Sequence, residues 1–261
     1  MNFGETLTVR EVAGVFEIQL NRPPANAFNF EMVDALLEAC SFARREQHVR
    51  CVLLTGGGSF FSTGQDLGVV EEIGLPVPFQ HHLARTYNRI VLSLIELEKP
   101  VLAAVNGPVA GAGLGIALAA DVRWAAETAS FHFGFTGIGL TADSGVSLTL
   151  PLQIGLGRAA EMAFSNQPVD ADEALSWGLV SRVLPADQLL GEMSAFAVRL
   201  AEGPTRAIGL TKKAFREALL HSLPHVLKYE AYLQEIAGRT EDHAEGLQAF
   251  LEKRKPAFTG R

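Results

Sequence analysis

The chain has 261 residues, of which 48% are hydrophobic and 20% charged, and its formal net charge at pH 7 is −7. This length and composition are typical of a globular protein with a large core, and the negative charge without a basic stripe argues against nucleic-acid binding. The first twenty residues alternate apolar and polar side chains and carry charges, unlike a secretory signal. Cys40 and Cys51 have no metal-ligand spacing, so we expect reduced thiols in a cytoplasmic protein.

The N-terminal part of the chain alternates strands and a helix. Thr6–Val12 and Val15–Leu20 alternate apolar and polar residues around a short turn, which predicts a β-hairpin. Phe30–Arg45 has the periodicity of an amphipathic helix. Val49–Thr55 is a continuous apolar run closed by three glycines, which predicts an interior strand of a parallel sheet.

The next segment carries the most informative pattern. Residues 68–80 combine glycine, prolines and glutamates and are expected to form a flap, followed by a helix over residues 80–97. Residues 101–120 contain no charge, but Asn-Gly-Pro and several glycines interrupt them, which argues against a membrane span. A buried strand at Val101–Val105, a glycine-rich turn and a helix at about Gly113–Ala120 fit better. Strands and helices in alternation predict an α/β fold with a parallel sheet.

The C-terminal part of the sequence is predominantly helical. Asp170 and Asp187 stand where helix N-caps are expected, and Pro204 and Pro224 mark first turns. Much of the apolar face of the last sixty residues is expected to need a partner subunit. The predicted elements are helices at Gln153–Ala163, Asp170–Gly178, Asp187–Ala201, Pro204–Leu220, Leu223–Ala237 and Glu241–Arg254, with a short strand at Leu179–Val183.

Two features of residues 99–143 indicate chemistry. Glycines in the turn AGAGLG let backbone N–H groups at a helix start approach a ligand closely. A second loop ends on the lone carboxylate of Asp143, which could act on a group polarised by those N–H groups. This is the layout of an acyl-activating site.

The chain resembles the crotonase (enoyl-CoA hydratase/isomerase) family over its full length. The matching segments, in order, are NRPPANAF, VLLTGGGSFFSTGQDL, KPVLAAVNGPVAGAGLGIALAAD, FTGIGLTADSG, VDADEALSWGLVSRVLP and EGLQAFLEKRKPAFTG. The resemblance implies a crotonase spiral of ββα turns with a C-terminal helical trimerisation region, and therefore a homotrimer or a hexamer. We place the spiral core at residues 1–200 and the helical oligomerisation region at 201–261. The resemblance also implies an acyl-CoA thioester substrate, with no metal and no cofactor beyond coenzyme A as part of the substrate.

In this family two backbone N–H groups form the oxyanion hole for the thioester oxygen, and they map to Gln65 and Ala112. Such preorganised donors are each worth about 3–4 kcal/mol of transition-state stabilisation. Because the donors are backbone groups, the side chains at these positions do not weaken the assignment. Asp66, directly after Gln65, is expected to brace the loop.

The resemblance also indicates which catalytic residues of the family are replaced in this chain. Enoyl-CoA hydratases use two glutamates, and the matching positions here are Gly115 and Phe135. Without a pair of carboxylates to activate water, hydration is disfavoured. Asp143 remains, at the position that carries the acid in several enoyl-CoA and ring isomerases and the nucleophile in 4-chlorobenzoyl-CoA dehalogenase. From the residue type alone, Asp143 would instead be the N-cap of a helix at Ser144–Leu152, and both roles could coexist.

Residues around Asp143 bear on the choice between isomerase and dehalogenase. The histidine that activates water in the dehalogenase corresponds to Asn88, so that route lacks its base. Phe133 and Phe135 are expected, with Asn88, to form the acyl pocket, although phenylalanines in an alternating strand are commonly core residues. Phe250 and Lys253 match coenzyme A-binding positions of the family.

The function predicted from the sequence is an acyl-CoA isomerase that shifts a double bond in an enoyl-CoA or ring-acyl-CoA, with Asp143 as acid and base. The alternatives are an aspartate-nucleophile hydrolase or dehalogenase-like enzyme, an enoyl-CoA hydratase, and a non-catalytic acyl-CoA-binding trimer. The sequence leaves the acyl group open.

Overall fold

A computed structural model of the protein describes residues 3–68 and 77–261. Most of the predicted flap, residues 69–76, lies outside the described residues. The strands of the described residues are β1 (Leu7–Val12), β2 (Val15–Leu20), β3 (Cys51–Gly56), β4 (Val101–Val105), β5 (Val109–Ala110), β6 (Val122–Ala126), β7 (Ser130–His132), β8 (Val169–Asp170) and β9 (Arg182–Leu184). The main sheet has six strands in the order β1-β2-β3-β4-β6-β9, and a smaller sheet has the order β5-β7-β8.

The main sheet confirms the predicted α/β class. β1 and β2 form the antiparallel hairpin that the alternation predicted, with Val12 paired to Val15 across the turn. From β2 onward each neighbouring pair of strands in this sheet is parallel. Parallel neighbours end at one edge of a sheet, so the loops that follow β3 and β4 meet there.

β3 shows why a continuous apolar run predicts an interior strand. Every residue from Cys51 to Gly56 is buried. Val52 and Leu54 face the larger hydrophobic cluster, whereas Cys51 and Leu53 face a second cluster on the other side of the sheet. Both faces of the strand are covered, which removes the polar alternation of a half-exposed strand.

The helices that precede the site differ from the prediction in one respect. α1 (Phe30–Arg45) is confirmed, but the single helix expected over residues 80–97 is two helices, α2 (Phe79–Arg85) and α3 (Tyr87–Glu96). They are separated at Thr86, whose hydroxyl donates to the carbonyl of His82 at 2.7 Å. The backbone of Thr86 itself leaves the helical region, with φ −113° and ψ −103°, which ends one helix before the next begins.

The remaining helices follow the predicted order with shifted ends. They are α4 (Ala112–Leu118), α5 (Val146–Ile154), α6 (Leu156–Ser165), α7 (Ala171–Trp177), α8 (Ala186–Glu202), α9 (Thr205–Leu220), α10 (Leu223–Ala237) and α11 (Glu241–Leu251). Asp170 caps α7 as predicted, since it accepts from the N–H of Glu173 at 2.8 Å. Asp187 does not cap α8, because it lies inside the first turn and Pro185 precedes the helix.

The C-terminal helices pack back onto the core of the same chain. The ammonium of Lys212 on α9 pairs with Asp121 at 2.9 Å, and Asp121 also accepts from the N–H of Val101 in β4. α10 packs against α2, and α11 packs against a short 3-10 turn at Thr136–Ile138. No helix among residues 3–68 and 77–261 is both long and apolar enough to cross a membrane.

Candidate active site

A cavity of about 500 Å³ opens at the edge of the sheet where the loops after β3 and β4 meet. The loop of residues 134–143 and helix α11 complete its wall. Its lining is mainly apolar and contains two carboxylates, one histidine and one glutamine among the described residues. The lining residues are Ala27, Thr63, Gln65, Asp66, Leu67, Gly68, Phe79, Ala110, Gly111, Ala112, Gly134, Phe135, Ile138, Leu140, Asp143, His243, Leu247, Phe250 and Leu251.

The two residues predicted to supply oxyanion donors lie side by side at this cavity. The loop before Gln65 passes so close to the start of α4 that a Cβ on Gly64 would lie 3.0 Å from the backbone nitrogen of Ala112. Ala110 also donates from its N–H to the carbonyl of Ser62 at 3.0 Å, which holds the two segments together. Neither the N–H of Gln65 nor that of Ala112 donates to another backbone carbonyl of the described chain. Both donors are therefore available to a ligand.

Asp66 stabilises this loop, as the sequence suggested. One carboxylate oxygen accepts from the N–H of Gly68 at 2.9 Å, and the other pairs with the guanidinium of Arg22 at 2.5 Å. The charge of Asp66 is thus balanced by a cation.

Asp143 is the second carboxylate of the cavity, and its surroundings are different. It is buried, and its oxygens accept from the hydroxyl of Ser144 at 2.6 Å and from the side-chain amide of Gln234 at 3.0 Å. Burial raises the pKa of Asp143 to about 6, although both hydrogen bonds act to lower it. Each carboxylate oxygen has two acceptor positions, so each one keeps a position for a proton.

The alternative role of Asp143 as a helix N-cap is wrong. α5 begins at Val146, the residue before it is Gly145, and no side chain caps the helix. The carboxylate of Asp143 is directed to Ser144 and Gln234 instead of to the first N–H groups of the helix.

Two residues of α10 support the loop of Asp143, and sequence reasoning missed both. Gln234 donates to Asp143 and accepts from the N–H of Thr141 at 2.9 Å. Glu230 accepts from the N–H groups of Gly145 and Ser147 at 2.8 and 2.9 Å. Burial raises the pKa of Glu230 to about 7, partly opposed by these hydrogen bonds. The two residues are one helical turn apart, and this i, i+4 spacing in a helix predicted to pack on the core was the available sequence signal.

The position of the first hydratase glutamate is sterically closed. A Cβ on Gly115 would lie 2.4 Å from the Cβ of Ser144 and 2.8 Å from its carbonyl oxygen. No side chain fits there unless Ser144, which holds Asp143, is displaced. Phe135, at the second position, is buried and lines the cavity with an apolar ring.

Only some of the other residues predicted to bind the acyl group or coenzyme A lie at the cavity. Phe133 packs against Phe135 at a ring separation of 5.1 Å and is not among the lining residues, so it lies in the layer behind the cavity. Asn88 is also outside the lining, and its amide donates to the carbonyl of Leu227 at 3.3 Å. Phe250 lines the cavity at the end of α11, whereas Lys253 lies beyond that end on the exposed surface.

Among the residues that the structure describes, no three histidine, cysteine or acidic side chains lie close enough together to hold a metal ion. His132 bonds to the hydroxyl of Ser130 at 2.9 Å and does not line the cavity.

Comparison with known proteins identifies the family of the chain. The family model for enoyl-CoA hydratase/isomerase matches residues 10–261. A probable enoyl-CoA hydratase of Rhodobacter capsulatus is 43% identical over 95% of both chains, and the 1,2-epoxyphenylacetyl-CoA isomerase of Escherichia coli is 39% identical over 95% of this chain and 96% of that one. An enoyl-CoA hydratase structure from Mycobacterium avium subsp. paratuberculosis superposes with a TM-score of 0.88 at 35% identity, covering 97% of this chain and 98% of the other. The protein is therefore an enzyme of the enoyl-CoA hydratase/isomerase (crotonase) family.

Proposed function

We propose that this protein is an acyl-CoA isomerase that moves a double bond in an enoyl-CoA or ring-acyl-CoA. The thioester oxygen binds to the N–H groups of Gln65 and Ala112, which makes the protons on the α carbon more acidic. Asp143 removes an α proton, and the electron pair of the broken C–H bond forms a double bond to the carbonyl carbon. The carbonyl π electrons move to the thioester oxygen, which gives a dienolate. The same carboxyl group then returns the proton to the γ carbon, and the 2-enoyl product forms. This reaction moves one proton and requires no cofactor beyond the coenzyme A of the substrate.

The observation that carries this proposal is that Asp143, unlike the other carboxylate of the described lining, has no cationic partner at the cavity. Its pKa of about 6 leaves it mostly ionised at neutral pH, yet basic enough to accept a proton in the transition state. Asp66, the other carboxylate among the described lining residues, forms an ion pair with the guanidinium of Arg22. Hydration would need a partner carboxylate for Asp143, and the closed space at Gly115 and the ring of Phe135 argue against one at the family positions.

The test is the conversion of a 3-enoyl-CoA in D2O, with wild type, Asp143→Asn and Asp66→Asn in parallel. The conjugated 2-enoyl product is separated from the substrate by chromatography, and its deuterium content is measured by mass spectrometry. We expect the 2-enoyl isomer from wild type, a loss of at least 10²-fold in Asp143→Asn, and only a moderate loss in Asp66→Asn. Asp66→Asn is the matched control because it neutralises the other lining carboxylate without touching Asp143.

Each alternative function gives a different result when a 2-enoyl-CoA is tested beside the 3-enoyl-CoA. A hydratase adds water only to a double bond conjugated with the thioester, so it leaves the 3-enoyl-CoA unchanged and converts the 2-enoyl-CoA to a product heavier by one molecule of solvent water. An aspartate-nucleophile enzyme gives a covalent adduct on Asp143 that is visible in the intact protein mass. A non-catalytic binder gives binding without any product, and full isomerase activity in Asp143→Asn would contradict the proposed mechanism.

We also propose that the chain assembles into a homotrimer or a dimer of trimers. Phe215 and Leu219 lie one turn apart on α9, and both are well exposed in the single chain. Both side chains line a second, mainly apolar cavity of about 640 Å³, whose other walls include Leu102 of β4 and Val122 of β6. Soluble monomers rarely expose a contiguous apolar area of this kind, so contact with another copy is the simplest explanation.

A further inference from the structure

Asp143 stands at the first position of a tight turn that leads into α5. The N–H of Val146 donates to the carbonyl oxygen of Asp143 at 3.0 Å, which closes a β-turn with Ser144 and Gly145 at its centre. Both central residues have positive φ, 56° and 78°, as in a type I′ turn. The geometry of this turn therefore fixes Asp143 relative to the helix that follows it.

Ser144 is an unfavourable residue for its place in the turn. Central positions of a type I′ turn are ordinarily occupied by glycine, asparagine or aspartate, because other L-residues are strained at positive φ. Ser144 is completely buried, and its hydroxyl donates to the carboxylate of Asp143 at 2.6 Å. A glycine would relieve the strain but could not form this hydrogen bond. The strained residue thus stands where its side chain contacts the proposed catalytic base.

Glu230 of α10 holds the same turn through three hydrogen bonds. One carboxylate oxygen accepts from the N–H of Gly145 at 2.8 Å, and the other accepts from the N–H and the hydroxyl of Ser147 at 2.9 and 2.5 Å. Backbone N–H groups that converge in this way form an anion-binding concavity. Here the anion is a side chain of the same protein, and only 2% of it is exposed.

The carboxylate of Glu230 is not explained by stability alone. No ion pair of the described residues includes Glu230, so its charge is buried without a cation. An unpaired buried charge costs free energy of folding. What only a carboxylate provides is an acceptor on both oxygens, whereas the amide of a glutamine would oppose one of the N–H groups with a donor of its own. The carboxylate is therefore suited to fix the turn at both of its N–H groups.

We propose that Glu230 and Ser144 are a pair of positioning residues for Asp143: the carboxylate of Glu230 fixes the turn, and the turn holds the hydroxyl of Ser144 on Asp143 so that the Asp143 carboxylate is kept at the cavity. The proposal rests on the proposed function insofar as Asp143 is the catalytic base. Neither member of the pair is among the described lining residues, so both should act on the rate of the chemical step and leave substrate binding unchanged. A misplacement of a reacting group by about 1 Å can lower a rate by about 10²-fold.

The test compares wild type with Glu230→Gln, Ser144→Ala and the double variant. Glu235→Gln is the control, since it makes the same change on the same helix at a residue that pairs with Arg239. The first measurement is kcat for 3-enoyl-CoA isomerisation at pH 8.5, where both carboxyl groups are ionised because the pKa values of Asp143 and Glu230 are about 6 and about 7. The second is the Kd of hexanoyl-CoA, which has no double bond to move. The third is hydrogen exchange of a peptide covering residues 143–148, measured by mass spectrometry without substrate.

We expect kcat to fall about tenfold or more in Glu230→Gln and in Ser144→Ala, with the Kd of hexanoyl-CoA unchanged within about twofold. Because the two residues act through one turn, the double variant should be about as slow as the slower single variant, and the two losses should not multiply. The peptide should exchange faster in Glu230→Gln, because the N–H groups of Gly145 and Ser147 lose their acceptor. Glu235→Gln should match wild type in all three measurements.

The proposal is overturned if either single variant keeps the kcat of wild type, if the affinity for hexanoyl-CoA falls as much as kcat, or if the losses multiply in the double variant. Ser144→Ala decides the outcome if Glu230→Gln does not fold. A wild type that does not isomerise 3-enoyl-CoA contradicts the proposed function instead. In that case faster exchange of the peptide in Glu230→Gln still supports the hold of Glu230 on the turn, and unchanged exchange overturns it.

Discussion

Gln234 connects Asp143 to the loop that carries it: the amide nitrogen of Gln234 donates to Asp143 at 3.0 Å, and its amide oxygen accepts from the N–H of Thr141 at 2.9 Å. Both ends of one fully buried side chain are thus used on residues two positions apart. The donation favours the ionised form of Asp143 and fixes the orientation of the carboxylate. Gln234 is a positioning residue for the proposed proton transfer.

Replacing Gln234 by methionine removes the donor and approximately keeps the volume. Without this hydrogen bond the pKa of Asp143 rises further above 6, and the acidic limb of the pH profile of kcat/KM moves up by about one pH unit. The measurement is the rate of 3-enoyl-CoA isomerisation from pH 5 to 9. Glu235→Gln is the control, since Glu235 follows Gln234 on the same helix but pairs with Arg239. An unchanged acidic limb in Gln234→Met would show that this hydrogen bond does not tune Asp143.

The raised pKa of Asp143 also leads to a prediction about the stability of the folded protein. The folded-state pKa of about 6 lies above the ordinary value of 3.8, so the folded protein binds more protons than the unfolded chain between these values. The contribution of Asp143 to stability therefore falls as the pH rises from about 4 to about 6, and above that it is a constant penalty of about 3 kcal/mol.

Asp143→Asn removes this penalty, and we expect the variant to unfold at higher denaturant concentration than wild type at pH 7.5. The difference in unfolding free energy should shrink toward pH 4, because the wild-type carboxyl is then neutral as well. Equilibrium urea unfolding at several pH values measures this difference. A difference that does not change between pH 4 and 7 would mean that Asp143 is not the group whose pKa is raised.

The sequence predicts the elements of this site better than their contacts. The hairpin, α1, β4 and α10 follow from periodicity, because each buries one face or one run of apolar residues against the core. The break at Thr86 could not be read from periodicity, since the apolar pattern continues through this residue while its backbone leaves the helical region. The pattern of apolar residues contains no information on such a local change of backbone angles.

The same limit applies to the side chains of the site. Motif positions bring Gln65, Ala112 and Asp143 to one cavity, but Gln234 and His243 come from helices distant in sequence and look like ordinary polar residues there. Conversely, Phe133 lies close to Phe135 in sequence and is not in the cavity lining, because it packs behind its neighbour.

Gly115 is predicted to be intolerant of even one methyl group. A Cβ at this position would lie 2.4 Å from the Cβ of Ser144, so Gly115→Ala must displace Ser144, with a loss of about 1–3 kcal/mol of stability. Because Ser144 bonds to Asp143, isomerase activity should fall as well. Gly191→Ala in α8 is the control, since nothing lies within 4 Å of its Cβ, and it should be neutral or stabilising by up to about 1 kcal/mol. Thermal unfolding of both variants measures this, and equal stability of the two would contradict the close contact at Gly115.

The proposed assembly predicts how the chain responds to a charge on α9. Light scattering after size exclusion should give three or six chain masses for wild type. Phe215→Asp places a carboxylate on the exposed apolar face of α9, where burial against another copy would remove its water, so the assembly should dissociate to smaller species. Val12→Asp is the control, because Val12 is also an exposed apolar residue but lies at the hairpin turn of β1. If Phe215→Asp remains assembled, or if wild type is already a monomer at micromolar concentration, the apolar face of α9 is not a contact between copies and must be covered by something else.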